Sequence, residues 1–239
     1  MSKIRMPLFS RLAGCLYLVI IVFGFWDEVL VRGTIIVAGN AAATTQNLAA
    51  HETLWRVGFT GEITMWLLSV VTMTIFYVLL RPVNETLALA ALVFNIMDTA
   101  MEAVNAVLCN FSALFLAQGA GSLRAFDAAQ REALTSLALR VHEYGFGAGL
   151  LFFGICLVLY GLLIAQSGFF PRWLGILAAV GGACYAINSY ALFGAPALAD
   201  VLFPFILFPS LIAELSVSLW LILKGIDEEK YAERVALAV

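Results

Sequence analysis

Six apolar blocks, each long enough to cross a lipid bilayer as a helix, constrain this chain more than any other feature. They fall at about 12–31, 54–80, 86–117, 133–165, 173–193 and 201–223. Roughly 20 residues rising about 1.5 Å each match a hydrocarbon core of roughly 30 Å. Inside lipid every backbone donor and acceptor must be satisfied within its own segment, which selects helices for blocks of this length. The predicted fold is therefore all-α: a polytopic membrane helical bundle of six transmembrane helices. Composition agrees, with 63% hydrophobic and 12% charged residues and a mean hydropathy of +0.98. Soluble domains are about half apolar and about a quarter charged. A net charge of -3 with no basic tract speaks against nucleic acid as a partner. The expected setting is a multi-pass place in the cell (inner) membrane, with the bilayer itself as the main partner.

Turn chemistry separates the blocks: "RPVN" at 81–84, "QGAGS" at 118–122, "QSGFFPR" at 166–172 and "FGAPA" at 193–197. The longest connection, 33–50, carries "NAAATTQN" and reads as a polar connector leading into a helix start. Residues 1–226 form the expected transmembrane domain and 227–239 a short charged cytoplasmic tail. Placing the N-terminus in the cytoplasm puts Lys3, Arg5, Arg11, Arg81, Arg172, Lys224, Lys230 and Arg234 inside. Arg32, Arg56, Arg124, Arg131 and Arg140 then lie outside, a bias that favours both termini in the cytoplasm. The first block is expected to stay as a span rather than a cleaved leader, because "AAAT" lies too far from its apolar stretch and Asp27 and Glu28 intervene. Cys15, Cys109, Cys156 and Cys184 lie in separate blocks without a CxxC pair and read as packing residues. Tyr77 and Asn105 recur as Tyr160 and Asn188 at the same separation, but too few other positions agree to make a repeat.

Ionisable residues inside the blocks carry the functional signal. Asn95, Asp98, Glu102, Asn105 and Cys109 follow one another at spacings of 3, 4, 3 and 4, one stripe of one helix. Each charge held at the bilayer centre costs about 2.5–3.5 kcal/mol, so the stripe is expected to face the interior of the protein. Glu214 sits deep in the sixth block. The kinks expected at Pro204 and Pro209 would free backbone groups beside it. Other helices offer partners: Arg56 and Glu62 in the second block, Arg140, His142 and Glu143 in the fourth, Tyr185 and Asn188 in the fifth. Arg140 is expected to face inward and offset the acidic stripe. Asp27, Glu28 and Arg32 cluster at the end of the first block. Gly145, Gly147 and Gly149 suit close approach by a neighbouring helix. For the stripe and for Glu214 the competing reading is a purely structural hydrogen-bond network, and for "RVHE" at 140–143 it is a set of interface anchors.

Several stretches carry a resemblance. "RLAG" (11–14), "VRGTIIVAGNAAATTQN" (31–47), "ETLWRVGF" (52–59), "LLRPVNETLALAA" (79–91), "HEYGF" (142–146), "LLFFG" (150–154), "SGFFPRWLGIL" (167–177) and "AELSVSLWLILKG" (213–225) together resemble the bacterial membrane-protein family known as domain of unknown function 4386. The resemblance implies a multi-span helical membrane protein and brings no activity, cofactor or catalytic residue with it.

The first functional reading is a protein that binds or translocates protons or a small, cationic ligand through an acidic polar cavity in the outer half of the bundle. Glu62, Asp98, Glu102, Glu143 and Glu214 outnumber Arg56 and Arg140, and buried carboxylates lacking counterions hold protons or bind cations. The ligand candidates are these seven residues with Asn95, Asn105, His142, Tyr185 and Asn188. The alternative is an intramembrane enzyme acting on a lipid or isoprenoid, with His142 and Glu143 as acid and base. A third class is a non-catalytic scaffold or sensor subunit. Only His51 and His142 are available as histidine ligands, and no GxSxG, HExxH, P-loop or dinucleotide motif occurs. No metal and no cofactor is expected.

Overall fold

The computed structural model describes residues 6–237, which are helical nearly throughout and contain no strand. Among them, six helices are long and apolar enough to cross a membrane. We label the helices α1 (Met6–Ile35), α2 (Ala41–Ala50), α3 (Glu52–Leu80), α4 (Glu85–Gln118), α5 (Ala128–Ser167), α6 (Arg172–Gly194), α7 (Pro196–Leu202), α8 (Phe208–Leu223) and α9 (Glu228–Leu237). Lys3 and Arg5, used in the expected topology, and the last two residues of the expected tail lie outside the described residues.

The helices follow the apolar blocks but run past them. α5 extends over 40 residues, about 60 Å at 1.5 Å per residue, roughly twice the hydrocarbon thickness. Helix ends are set by local chemistry. Gly119 (φ 60°) and Gly225 (φ 71°) adopt the left-handed conformation that closes α4 and α8. Pro171 precedes α6 in an extended conformation, where its missing N–H costs no helical bond.

Two expectations need correction. The 33–50 connection is not an extended loop: α2 occupies most of it, capped by the Asn40 side chain, which accepts from the Ala43 amide at 2.9 Å. The sixth block is not one kinked helix. α7 ends at Leu202, a short 3-10 turn follows at Phe205–Leu207, and α8 begins at Phe208. Pro209 thereby falls in the first turn of α8, where its lost donor breaks no ladder bond, so no kink forms there. The charged tail contains a helix, α9, whose Tyr231 packs edge-on against Phe169 at 5.2 Å between ring centroids.

The chain divides into two compact units. The first takes the described residues up to 21, then 67–99 and 147 onward. Its core joins Tyr17, Phe76, Leu79, Leu80, Tyr160, Leu163, Leu174 and Leu221. Two pairs of glycines, Gly154 with Gly182 and Gly161 with Gly175, bring the backbones of α5 and α6 together; a Cβ at any of the four would collide with the facing main chain. Without a hydrophobic drive between helices in lipid, such close packing and interhelical hydrogen bonds supply the attraction. Ser218 accordingly donates to the Gly14 carbonyl at 2.9 Å and Tyr160 to the Met73 carbonyl at 3.0 Å.

The second unit takes 22–66 and 100–146. Its apolar core is smaller, built on Val31, Ile35, Leu48, Trp55, Leu114 and Leu139. Two wide π turns interrupt its helices, at Asp27–Arg32 in α1 and at Ala106–Phe111 in α4. Such i→i+5 turns are rare and concentrate at functional sites.

Candidate functional site

The second unit holds a buried polar cluster assembled by those two π turns. Asp27 and Arg32 stand at the two ends of the first turn. Five residues at about 100° each would leave them some 140° apart on an α-helix, whereas the i→i+5 geometry turns both toward one face. Asn110 belongs to the second turn in the same way, five residues beyond Asn105.

Asn110 is the hub. Its Oδ1 accepts from Arg32 Nη1 at 3.0 Å, its Nδ2 donates to Glu62 Oε1 at 3.1 Å, and its main-chain carbonyl accepts from Trp55 Nε1 at 3.3 Å. These partners fix which way the carboxamide points, since a guanidinium only donates and a carboxylate only accepts. Arg32 also pairs with Glu28 at 3.3 Å and lies over the Trp55 ring, 6.0 Å from its centroid.

Acidic groups crowd this arginine. Asp27, Glu62 and Glu102 each feel its charge, and the Asp27 and Glu62 carboxyls face each other. Gly58 makes room for Asp27: a Cβ there would lie 2.7 Å from Asp27 Oδ1. Glu62 is only 8% exposed, and its Oε2 has no hydrogen-bond partner; the buried Oε1 of Glu102 has none either.

Beside this network Asn105 clamps His142. Its Nδ2 lies 3.0 Å from the ring Nδ1 and 2.9 Å from the His142 carbonyl. A carbonyl accepts only, so the Asn105 atom shared between them is the NH2 group. Ring Nδ1 is then an acceptor, and the ring proton resides on Nε2. Gly145 faces the Asn105 carboxamide closely enough that any side chain there would displace it.

The first unit holds a second polar cluster. The Tyr185 hydroxyl donates to Glu214 Oε1 at 2.7 Å, and Asn95 Nδ2 donates to Ser69 Oγ at 3.0 Å. The fully buried Tyr17 hydroxyl lies beside the same Glu214 carboxyl.

The sequence candidates separate accordingly. Asn95, Asp98, Tyr185, Asn188 and Glu214 belong to the first unit; Arg56, Glu62, Glu102, Asn105, Arg140, His142 and Glu143 belong to the second. Along the α4 stripe, Asn95 is buried and Asp98, Glu102, Asn105 and Cys109 are half-buried, so none turns its full side chain outward. The stripe is thus divided between the two units.

Arg140 and Glu143 were expected to face inward, and the structure exposes both. The reason is phase: buried Leu139 and His142 define the inward face of α5, and their neighbours in sequence swing about 100° away. The same divergence separates His142 from Glu143 as an acid–base pair. Arg56 is also exposed, paired with Glu52 at 2.7 Å. The cluster in the second unit is organised by Asp27, Arg32, Trp55 and Asn110, which the ligand candidates omitted. The signal available was the spacing of five between Asp27 and Arg32 and between Asn105 and Asn110, invisible to a search at helical period. Two surface hollows of about 650 and 250 Å³ lie in the second unit, lined by residues such as His51, Glu52, Thr45 and Arg131, and neither is lined by Glu62 or Glu102.

Comparison with known proteins gives the chain a family. It is 34% identical over 77 residues to an uncharacterized protein of Archaeoglobus fulgidus, a match covering 32% of this chain and 44% of that relative. The match spans less than half the length of the relative. No solved structure matches. The family model "Domain of unknown function (DUF4386)" matches residues 12–225, taking in every membrane-crossing helix from most of α1 to the end of α8. The chain is a multi-pass helical membrane protein and belongs to the DUF4386 family.

Proposed function

We propose that this protein binds protons or a small cationic ligand at the acidic cluster around Arg32, and that it sits in the cell membrane with both termini in the cytoplasm. One observation carries the reading: Glu62 is buried, faces a second carboxyl, that of Asp27, and keeps an oxygen without a protein donor. Two carboxyls in that relation need a proton or a cation between them, because like charges so placed repel strongly in a medium of low dielectric. One guanidinium, that of Arg32, faces Asp27, Glu62 and Glu102 and is already paired with Glu28. Carboxyl groups are thus in excess. An intramembrane ionisable residue that no single partner satisfies is the usual mark of an ion or proton path.

The supporting residues have distinct tasks. Asn110 holds Arg32 and Glu62 at fixed distance, Asn105 fixes the His142 ring, and Glu62 with Asp27 takes the charge. The enzyme alternative gains nothing from the geometry, since Glu143 is exposed while His142 is buried.

The test uses purified protein in liposomes with a pH-reporting dye. Glu62→Gln and Glu102→Gln are expected to lower proton uptake on acidification, with Glu62→Gln the stronger. Parent-like uptake in both variants at every pH would refute the reading and leave a structural network in its place.

A further inference from the structure

Glu214 occupies the middle of its span, with nine residues on either side within Phe205–Leu223. At about 1.5 Å per residue it stands about 13 Å from each end, too far for a glutamate to reach water by leaning. It is 7% exposed. A charge at that depth needs a counter-charge or a proton. The groups that face it are Tyr185 from α6 and Tyr17 from α1, with Asp98 of α4 and Cys156 of α5 next to those tyrosines. None of these four is a cation.

The two phenols are arranged unequally. Tyr185 closes a short bond on Oε1, at 2.7 Å. Tyr17 is 2% exposed, and its hydroxyl lies beside the same carboxyl in a looser geometry than that of Tyr185. A buried phenol is costly unless a partner stays within its reach. One group serves both needs. A protonated Glu214 accepts from Tyr185 on one oxygen and offers its own O–H to Tyr17; an ionised Glu214 accepts from both. The pair of tyrosines therefore accommodates either state of the carboxyl by rotating hydroxyls, with no helix moving.

We propose that Glu214, held between Tyr17 and Tyr185, is a second proton-binding site of this protein, set in the first unit and independent of the cluster around Arg32. The proton is taken up by the carboxyl and shared with the phenols; no other bond forms or breaks.

Infrared difference spectra of the full-length protein in liposomes, recorded between acidic and alkaline buffer in H2O and D2O, read this group directly. The parent is expected to show a protonated-carboxyl C=O band that titrates and shifts in D2O. Glu214→Gln should remove it, while Glu62→Gln and Glu102→Gln should leave it in place. Tyr185→Phe should move the band, because the bond to Oε1 is lost; this variant also answers the question if Glu214→Gln fails to fold. Spectra in which neither Glu214→Gln nor Tyr185→Phe changes any titrating carboxyl band would overturn the proposal. Loss of uptake in the Glu62 variant would leave this result untouched, so the two sites are tested separately.

Discussion

The carboxamide of Asn105 straddles His142, donating both to the ring Nδ1 at 3.0 Å and to the backbone carbonyl at 2.9 Å. One side chain thus sets the tautomer of a buried imidazole and ties its ring to the main chain of α5. Nitrogen-15 NMR of histidine-labelled protein is expected to show His142 with its proton on Nε2 and Nδ1 unprotonated. Asn105→Ala should erase that signature and destabilise the fold by about 1–3 kcal/mol, the cost of leaving buried acceptors unpaired. Gly145→Ala should reproduce the spectral change, since its methyl group takes the place of the carboxamide. A spectrum unchanged in both variants would contradict the assignment.

Arg32 holds together more acidic groups than it can neutralise. Arg32→Met is expected to cost about 3–5 kcal/mol, as removing one partner of a buried charged set does. Arg32→Met combined with Glu62→Gln should recover part of that loss, because one uncompensated carboxyl is then gone. Denaturation in detergent for the parent, both single variants and the double variant gives the coupling; purely additive losses would mean that the two side chains do not interact.

Gly58 faces the Asp27 carboxyl and the Val31 side chain, at 2.7 and 2.9 Å from a would-be Cβ. Gly58→Ala is expected to push Asp27 off its position and lower the melting temperature by several degrees, an overpacking loss of about 1–3 kcal/mol. Gly194→Ala, where nothing lies within 4 Å of the added carbon, is the control and should stay near the parent value.

Tyr231 links the C-terminal helix to Phe169, and burial pushes its hydroxyl above the usual phenol range, against a smaller opposing pull from Arg81. A folded-state pKa above the free value favours the neutral form. The resulting stabilisation is complete below about pH 10 and is lost as pH rises from there through the folded value. Hydrogen exchange or limited proteolysis of 228–237 should therefore increase above about pH 10 in the parent. Tyr231→Phe should abolish that increase, and a parent profile flat to higher pH would count against the docking.

Much of the fold could be read from the sequence, because lipid rewards one property, apolar length, that composition reports directly. The six spans needed nothing else. Their ends were harder, since α1 and α5 begin several residues before the apolar stretch, and Pro209 is compatible with either a kink or a first turn. Along α4 the 3- and 4-residue spacing of Asn95, Asp98, Glu102 and Asn105 marked one side of the helix, of which Asn95 is buried and the other three are half-buried. Asp27, Arg32 and Asn110 were not, because a π turn places residues by fives and leaves no mark at the period of an α-helix. Arg140 and Glu143 misled for the converse reason: adjacency to His142 in sequence says nothing about which way a side chain turns.

Each of the two wide turns stores one residue more than a regular ladder would hold. Deleting a single amino acid from 28–31 would let the ladder close with Asp27 and Arg32 four residues apart, about 40° from one another on a regular helix, so the two would keep a common face. The same deletion in the regular helix before Asp27 would instead rotate the part of α1 ahead of the cut by about 100° relative to Arg32. The wide turn is thus a place where α1 can lose a single residue at little cost to the face that Asp27 and Arg32 share, whereas the same loss in its regular turns shifts a whole face.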